Sequence, residues 1–398
     1  MINVGTSGLK SVDTKTNKRF ILFLLGITSL VNGFAQFFYN PILPLVQAEF
    51  KTTLYWVNFT VTMFTVSMAI MQVVFGSMAD RKGRRRALLI GVFLFVLGSF
   101  GAAFAKSILV LLIARVVQGM GAAAVPVVAA AVIGDLFEGQ ERTKAMGTYQ
   151  VIMALTPAIG PLIGGIVGGK FGVFGVFLFL AIAGIIILMA NALWLGESKP
   201  PLESATAKFS IRSFTIFWVH RKSRAIMLIG FVQAFASTIV LVFIPNILQH
   251  YFNASPEITG ASFLFMSLCF ILSLKVGERL QLAWGTERSF ILGCWLNAMS
   301  LVFFGLFIWI SMPLAIVLFC WFGATYGISF PPPLTMLTEL FDEERAVAVS
   351  LYNLCRNAGV AVGPIVGAML YSTHSDLILF GAAAAVYGLA IAISRNLL

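Results

Sequence analysis

Asp80 stands among five cations, Arg81, Lys82, Arg84, Arg85 and Arg86, between an apolar run over 54–78 and another that starts at Ala87. Runs of that length cross a bilayer, which takes about 20 apolar residues, so Gly76–Arg86 reads as a short loop at the membrane edge. The cations fit the excess of Lys and Arg that cytoplasmic loops carry. Asp80 fits less simply, because the C-terminal end of a helix favours cations over carboxylates. It needs a partner, either the local arginines or the N-terminus of another helix.

Two further cations lie inside apolar runs: Arg115, within Ile113–Ala123, and Arg356, flanked by Tyr352, Asn353 and Asn357. An arginine at the centre of a membrane helix costs about 3 kcal/mol on insertion scales. Each therefore needs a function or a buried partner such as backbone carbonyls. Gln118 and Gly119 follow Arg115 at the spacing that shares a helical face. Asn32, Gln36 and Asn40 repeat at i, i+4 and i+8, on one face of the first helix. Such a stripe looks into a cavity or hydrogen-bonds to neighbouring helices.

These residues must be positioned by membrane helices. The chain has 398 residues, 59% hydrophobic and 11% charged, with a mean hydropathy of +0.94; soluble domains carry about 25% charged residues. Twelve spans are read, at 20–46, 54–78, 87–105, 108–134, 146–169, 172–196, 225–249, 258–274, 289–311, 313–337, 347–371 and 376–394. With the N-terminus inside, 22 of the 27 Lys and Arg fall on the inner side, three (Lys51, Lys106, Lys170) on the outer, and two within spans. That asymmetry places both termini in the cytoplasm and the chain in the cell membrane as a multi-pass protein. The +11 charge is thus topological, and no nucleic-acid partner is expected. The first run is too long for a signal peptide and lacks a cleavage site, so it stays as span 1.

Cys269, Cys294, Cys320 and Cys355 fall in four different spans without paired spacing, so neither metal nor disulfide is expected. No cofactor is indicated. HExxH, GxSxG and P-loop patterns are absent and the histidines are scattered at 220, 250 and 374, which argues against an enzyme.

Span 5 carries Gly160, Gly164 and Gly168 on one groove, which allows close helix approach, while Pro157 and Pro161 should bend it. Gly160-Pro161-x-x-Gly164 returns 203 residues later as Gly363-Pro364-x-x-Gly367, and Arg142 returns as Arg345. Gly359 supplies in span 11 the glycine that Thr156 replaces in span 5. A six-helix unit is used twice: 1–196 and 225–398, joined by a cytoplasmic linker at 197–224 whose part from Phe209 to Arg224 could form an amphipathic surface helix.

Three of these stretches carry a family resemblance. Gly76, Asp80, Arg81, Gly83, Arg84 and Arg85 match the loop 2–3 signature of the major facilitator superfamily. R-x-x-Q-G-x-G-A-A from Arg115 resembles its helix-4 signature, whose arginine is implicated in proton handling. Gly147, Gly160, Pro161, Gly164 and Gly165 resemble the antiporter motif of the twelve-helix drug:proton branch, with Thr156 as the one departure.

The resemblance implies an all-α polytopic fold of two six-helix bundles and export of small amphiphilic, drug-like molecules by alternating access, coupled to protons. Gating falls to the loop 2–3 residues, to Gly160, Pro161, Gly164 and Gly165, and to Gly359, Gly363, Pro364 and Gly367. The substrate or proton pathway falls to Asn32, Gln36, Asn40, Arg115, Gln118, Tyr352, Asn353 and Arg356. Asp80 would latch the cytoplasmic side near Arg345 to Ser350 in the outward-facing state. A monomer in the bilayer, with a small-molecule substrate and protons as partners, is expected. The rivals are a lipid or lipophilic-metabolite flippase, an uncoupled facilitator, and a sensor that binds without transporting. All sixteen acids lie in loops or at helix ends. The proton would ride on Asp80 or Asp135, or coupling is weak. The two arginines favour an anionic or neutral amphiphile.

Overall fold

The computed structural model describes residues 16–198, 220–341, 345–373, 375–395 and 397. Among them the chain is helical and has no strand, as expected where the bilayer offers backbone groups no hydrogen bonds and only internally satisfied helices or closed barrels can cross. Large apolar side chains such as Val73, 77% exposed, and Leu282, 83% exposed, face outward, where a soluble protein would carry charge.

Among the described residues eleven helices are long and apolar enough to cross a membrane, and one of them holds two of the twelve spans read. Spans 5 and 6 run as one helical stretch, Gly139–Trp194, broken where Gly172 adopts φ 67° and ψ −165°. That glycine makes the turn between them, at the end of the molecule with few cations. Span 1 is interrupted: its helix ends at Phe37, a 3₁₀ turn covers Asn40–Ile42, and a short helix Leu43–Glu49 completes it. The shared face read for Asn32, Gln36 and Asn40 therefore does not reach Asn40, because two prolines, Pro41 and Pro44, end the regular helix before it. Span 4 is divided at Ala123 into Ile108–Ala122 and Ala124–Leu136.

The loop read over Gly76–Arg86 shrinks to one residue. Span 2 is a helix from Leu54 to Lys82 and span 3 starts at Arg84, with Gly83 alone between them. Arg81 and Lys82 sit in the last turn of span 2, where the helix dipole favours them. Span 7 starts at Arg221, four residues before the boundary read at 225. Spans 8 and 9 are Pro256–Trp284 and Thr286–Phe307, span 10 is Met312–Ser329 followed by Pro332–Leu340, and spans 11 and 12 are Arg345–Tyr371 and Asp376–Arg395. Of the amphipathic stretch read from Phe209 to Arg224, residues 209–219 lie outside the described residues, and Arg221 to Arg224 form the first turn of span 7.

Candidate functional site

At the cation-rich end, six side chains from four segments hold the span 2–span 3 corner. Asp80 is bonded to Arg84 one turn on, and Arg84 Nε reaches Asp135 Oδ2 of span 4 at 3.1 Å. Ser198 Oγ donates to the same Asp135 oxygen at 3.1 Å. Glu197, just past span 6, accepts the backbone amides of Arg84 at 2.7 Å and Arg85 at 3.3 Å. Those are free donors of the first turn of span 3, where a carboxylate is favoured by both hydrogen bonding and the dipole. Arg85 donates in turn to the Ala192 carbonyl at 2.6 Å.

Gly83 is required twice over. Its φ of 101° is one that residues with a side chain rarely adopt, and a Cβ there would overlap the Glu197 carboxylate. Gly76 is less constrained, since an added Cβ would meet Val127 at an ordinary 3.7 Å. The side chains of Arg345–Ser350, apart from Ala348, lie outside the described residues, and so does the latch read for Asp80. Its described partner is Arg84, within its own half.

Arg115 is 1% exposed. Its guanidinium lies between the Tyr39 and Phe64 rings, 4.5 and 4.2 Å from their centroids, and donates to the Ala35 carbonyl at 3.0 Å and Gln118 Oε1 at 2.6 Å. Gln118 passes the chain of bonds to Ser99 Oγ at 2.8 Å. Two ring faces and a carbonyl compensate the desolvated cation without a carboxylate. In this conformation Arg115 and Gln118 tie spans 1 to 4 together and are buried. Asn32 also resolves as a tie between helices, donating to the Ala122 carbonyl of span 4 at 3.1 Å. Gln36 remains half-buried beside it.

Arg356 is partly exposed. It lies 4.7 Å from the Phe330 ring centroid and 5.8 Å from that of Tyr352, with the Tyr326 hydroxyl at 3.4 Å from Nη2. Tyr352 is buried under Gly230 of span 7, and Asn353 is exposed.

The small residues of span 5 form two seams. Gly160, Gly164 and Gly168 face span 1, at Phe37, Phe38 and Ile42 of the same half. Gly164 is the tightest of these against backbone: a Cβ would lie 2.5 Å from Phe38 Cα. Gly160 and Gly164 thus seat span 1 and do not form the boundary between halves, because the groove i, i+4, i+8 points into their own bundle. Pro161 and Gly165 do form that boundary, lying on Gly260 and Pro256 of span 8. Ser267 Oγ of span 8 donates to the Pro157 carbonyl at 2.9 Å, and Thr62 Oγ1 of span 2 to the Ala361 carbonyl of span 11 at 3.3 Å. These are the hydrogen bonds between halves among the described residues. In span 11, Gly359, Gly363 and Gly367 all pack on span 7 of their own half, at Phe231, Phe235 and Phe243.

Along span 5 the contacts with the other half run from Gly169, against Glu257, to Pro157. Further toward the cation-rich end its described partners belong to its own half: Tyr149 with Ser29 of span 1 at 2.9 Å, Ile152 against Gly26 of span 1, and Arg142 against Gly134 of span 4. The two halves are closed on each other at the cation-poor end.

The family description Major Facilitator Superfamily matches residues 25–227 and again 226–397. This chain belongs to the major facilitator superfamily. Over 249 residues it is 29% identical to the uncharacterized MFS-type transporter YdgK of Bacillus subtilis (strain 168), covering 61% of each chain. Over 160 residues it is 33% identical to the multidrug resistance protein Stp of Mycobacterium tuberculosis (strain ATCC 25618 / H37Rv), covering 40% of this chain and 30% of Stp. Each match thus spans less than two thirds of the relative's length. Among solved structures, a bacterial homologue of the human lysosomal transporter Spinster, inward-facing and occupied, superposes with a TM-score of 0.79 at 16% identity, covering 96% of this chain and 97% of that one. A D-xylose-proton symporter gives 0.78 at 16% identity, covering 96% and 98%.

Within this superfamily fold, sequence reasoning missed Glu197, Ser267, Thr62 and Gly260. Glu197 lies in Gly196-Glu197-Ser198-Lys199-Pro200, whose composition marks only a loop. Ser267 and Thr62 are single hydroxyls in apolar helices, and the one signal available was Pro161, which frees the Pro157 carbonyl that Ser267 meets.

Proposed function

We propose that this chain is a secondary transporter that exports small amphiphilic, drug-like molecules across the cytoplasmic membrane by alternating access and proton antiport. The observation that carries the reading is the span 5–span 8 seam. The stretch resembling the antiporter motif lies against the opposite half through Pro161 and Gly165, at one end of the molecule. A seam closed at one end is what a carrier needs if its halves rock about a central site. The match to Stp, a multidrug resistance protein, supports export. The Lys and Arg asymmetry supports both termini, and the cation-rich end, in the cytoplasm. The conformation is then the one that loads from the cytoplasm.

In this reading, 1–196 and 225–398 are the two bundles and 197–224 links them, in a chain that works as a monomer. The loop 2–3 network is the part that changes partners, with Asp80 leaving Arg84 for span 11 when the cytoplasmic side closes. With Arg115 engaged inside its bundle, Arg356 beside Tyr326, Phe330 and Tyr352 is the cation offered to substrate, which favours neutral or anionic amphiphiles with an aromatic ring.

An uncoupled facilitator is the second reading. The placement of acids favours it: each described Asp and Glu lies within about two turns of a helix end, whereas proton-coupled carriers bury a carboxylate in the membrane. Flux of a panel of amphiphiles into everted vesicles, with and without an imposed proton gradient, separates the two. Gradient-driven accumulation supports antiport, and flux that ignores the gradient supports facilitation. If no compound moves, the transport reading fails.

A further inference from the structure

Proline lacks the amide that would bond the carbonyl four residues earlier in a helix. Two of the carbonyls freed in this way have found side-chain donors on other spans. Pro126 in span 4 frees the Ala122 carbonyl, and Asn32 Nδ2 of span 1 donates to it at 3.1 Å. Pro161 in span 5 frees the Pro157 carbonyl, and Ser267 Oγ of span 8 donates to it at 2.9 Å. The chemistry is the same, but the location differs. Asn32 and Ala122 belong to one half, so their bond lasts as long as that half is folded. Ser267 and Pro157 belong to different halves, so theirs exists only while the cation-poor end is shut.

We propose that Ser267 is a positioning residue of the transport cycle, whose hydroxyl, on the Pro157 carbonyl, holds the halves closed at the cation-poor end. This rests on the alternating-access reading above. Ser267 is 3% exposed, and Gly260, two turns earlier on span 8, packs on the Pro161 carbonyl, so the helices approach close enough for the bond. A carbonyl left without a donor in apolar surroundings is costly. Opening the seam is therefore disfavoured until water or a donor on the substrate replaces Ser267. The hydroxyl itself loses little, because a serine in a helix can turn back to a carbonyl of its preceding turn, as Ser262 and Ser273 of the same span do. The Thr62 bond to Ala361 lies one residue beyond the carbonyl freed by Pro364 and, at 3.3 Å, is a weaker counterpart on the other seam.

The test is a distance measurement by double electron–electron resonance on the full chain in nanodiscs. With native cysteines replaced, spin labels at Lys106→Cys and Ile310→Cys report whether the cation-poor ends of the two halves are together or apart. Ser267→Ala should raise the apart-to-together ratio by about 3-fold or more, the weight of one hydrogen bond between membrane helices. In a Pro161→Ala background the helical amide returns to the Pro157 carbonyl, and the same Ser267→Ala change should shift the ratio by less than about 2-fold, since the pair no longer couples. An unchanged ratio in Ser267→Ala alone overturns the proposal. An equal shift in both backgrounds also overturns it, by showing that Ser267 acts through packing. A parent protein that holds one distance through every pH step and added amphiphile would instead overturn the alternating-access reading beneath it.

Discussion

Spans 5 and 11 carry the same Gly-Pro-x-x-Gly stretch 203 residues apart, yet they use it differently. In span 11 the glycines face one way, onto span 7 of their own half. In span 5 they work on two sides, with Gly160, Gly164 and Gly168 on span 1 and Pro161, Gly165 and Gly169 on span 8 of the other half. The corners between spans 2 and 3 and between spans 8 and 9 differ in the same sense. Each turns on one glycine of positive φ, 101° at Gly83 and 84° at Gly285. Around Gly83 stand Glu197, Arg84, Asp80 and Asp135, whereas a Cβ on Gly285 would meet nothing within 4 Å. The repeat thus preserves the packing inside each bundle, whereas the Pro161, Gly165 and Gly169 contacts of span 5 with the opposite half have no counterpart among the glycines of span 11.

The comparison can be broken by substitution, and the largest effect is expected in span 5. Gly164→Leu should prevent assembly of the first bundle, costing about 3 kcal/mol or more through overpacking against the Phe38 backbone. Gly381→Leu, where nothing lies within 4 Å of an added Cβ, should leave thermal unfolding in detergent nearly unchanged. Equal melting temperatures for the two variants would remove the span 1 seam.

The corner glycines come next. Gly83→Ala meets both backbone strain, about 1–2 kcal/mol, and loss of the Glu197 bonds, each about 1.5–3 kcal/mol as bonds to a charged group. Gly285→Ala meets only the strain. Thermal unfolding should therefore rank Gly83→Ala well below Gly285→Ala, and the reverse order would show that Glu197 does not hold the corner.

The smallest effect on stability is expected for Asp80→Asn. Its side chain is 66% exposed, and exposed ion pairs contribute about 0–1 kcal/mol. Expression and unfolding should stay near the parent while transport falls. Normal flux in this variant would take Asp80 out of the gating account.

Much of this arrangement was legible because membrane helices obey few rules. Run length located the spans, and the 203-residue offset exposed the two halves. Asp80 was legible as a charge needing a partner, either the local arginines or another helix's N-terminus, since a carboxylate in the last turn of a helix is out of place. What stayed hidden was direction. The glycine spacing showed that span 5 has a groove, but which helix fills it depends on the rotation of span 5 in the bundle, which one sequence does not record. Thr156 is an instance: it departs from the glycine found in the motif, and the departure is absorbed by Gly33 of span 1, directly opposite it. Arg115 was legible as costly, but its solution depends on the distant Tyr39 and Phe64 rings converging on one point.

The central claim is that the seam between spans 5 and 8 opens and closes in every transport cycle. Lys170 and Glu257 lie near each other across that seam. In a background without native cysteines, Lys170→Cys and Glu257→Cys can be joined by a short, reducible bifunctional thiol reagent in proteoliposomes, with amphiphile flux followed before and after. The account predicts that cross-linking stops flux and that reduction restores it. Undiminished flux through the cross-linked protein would contradict it.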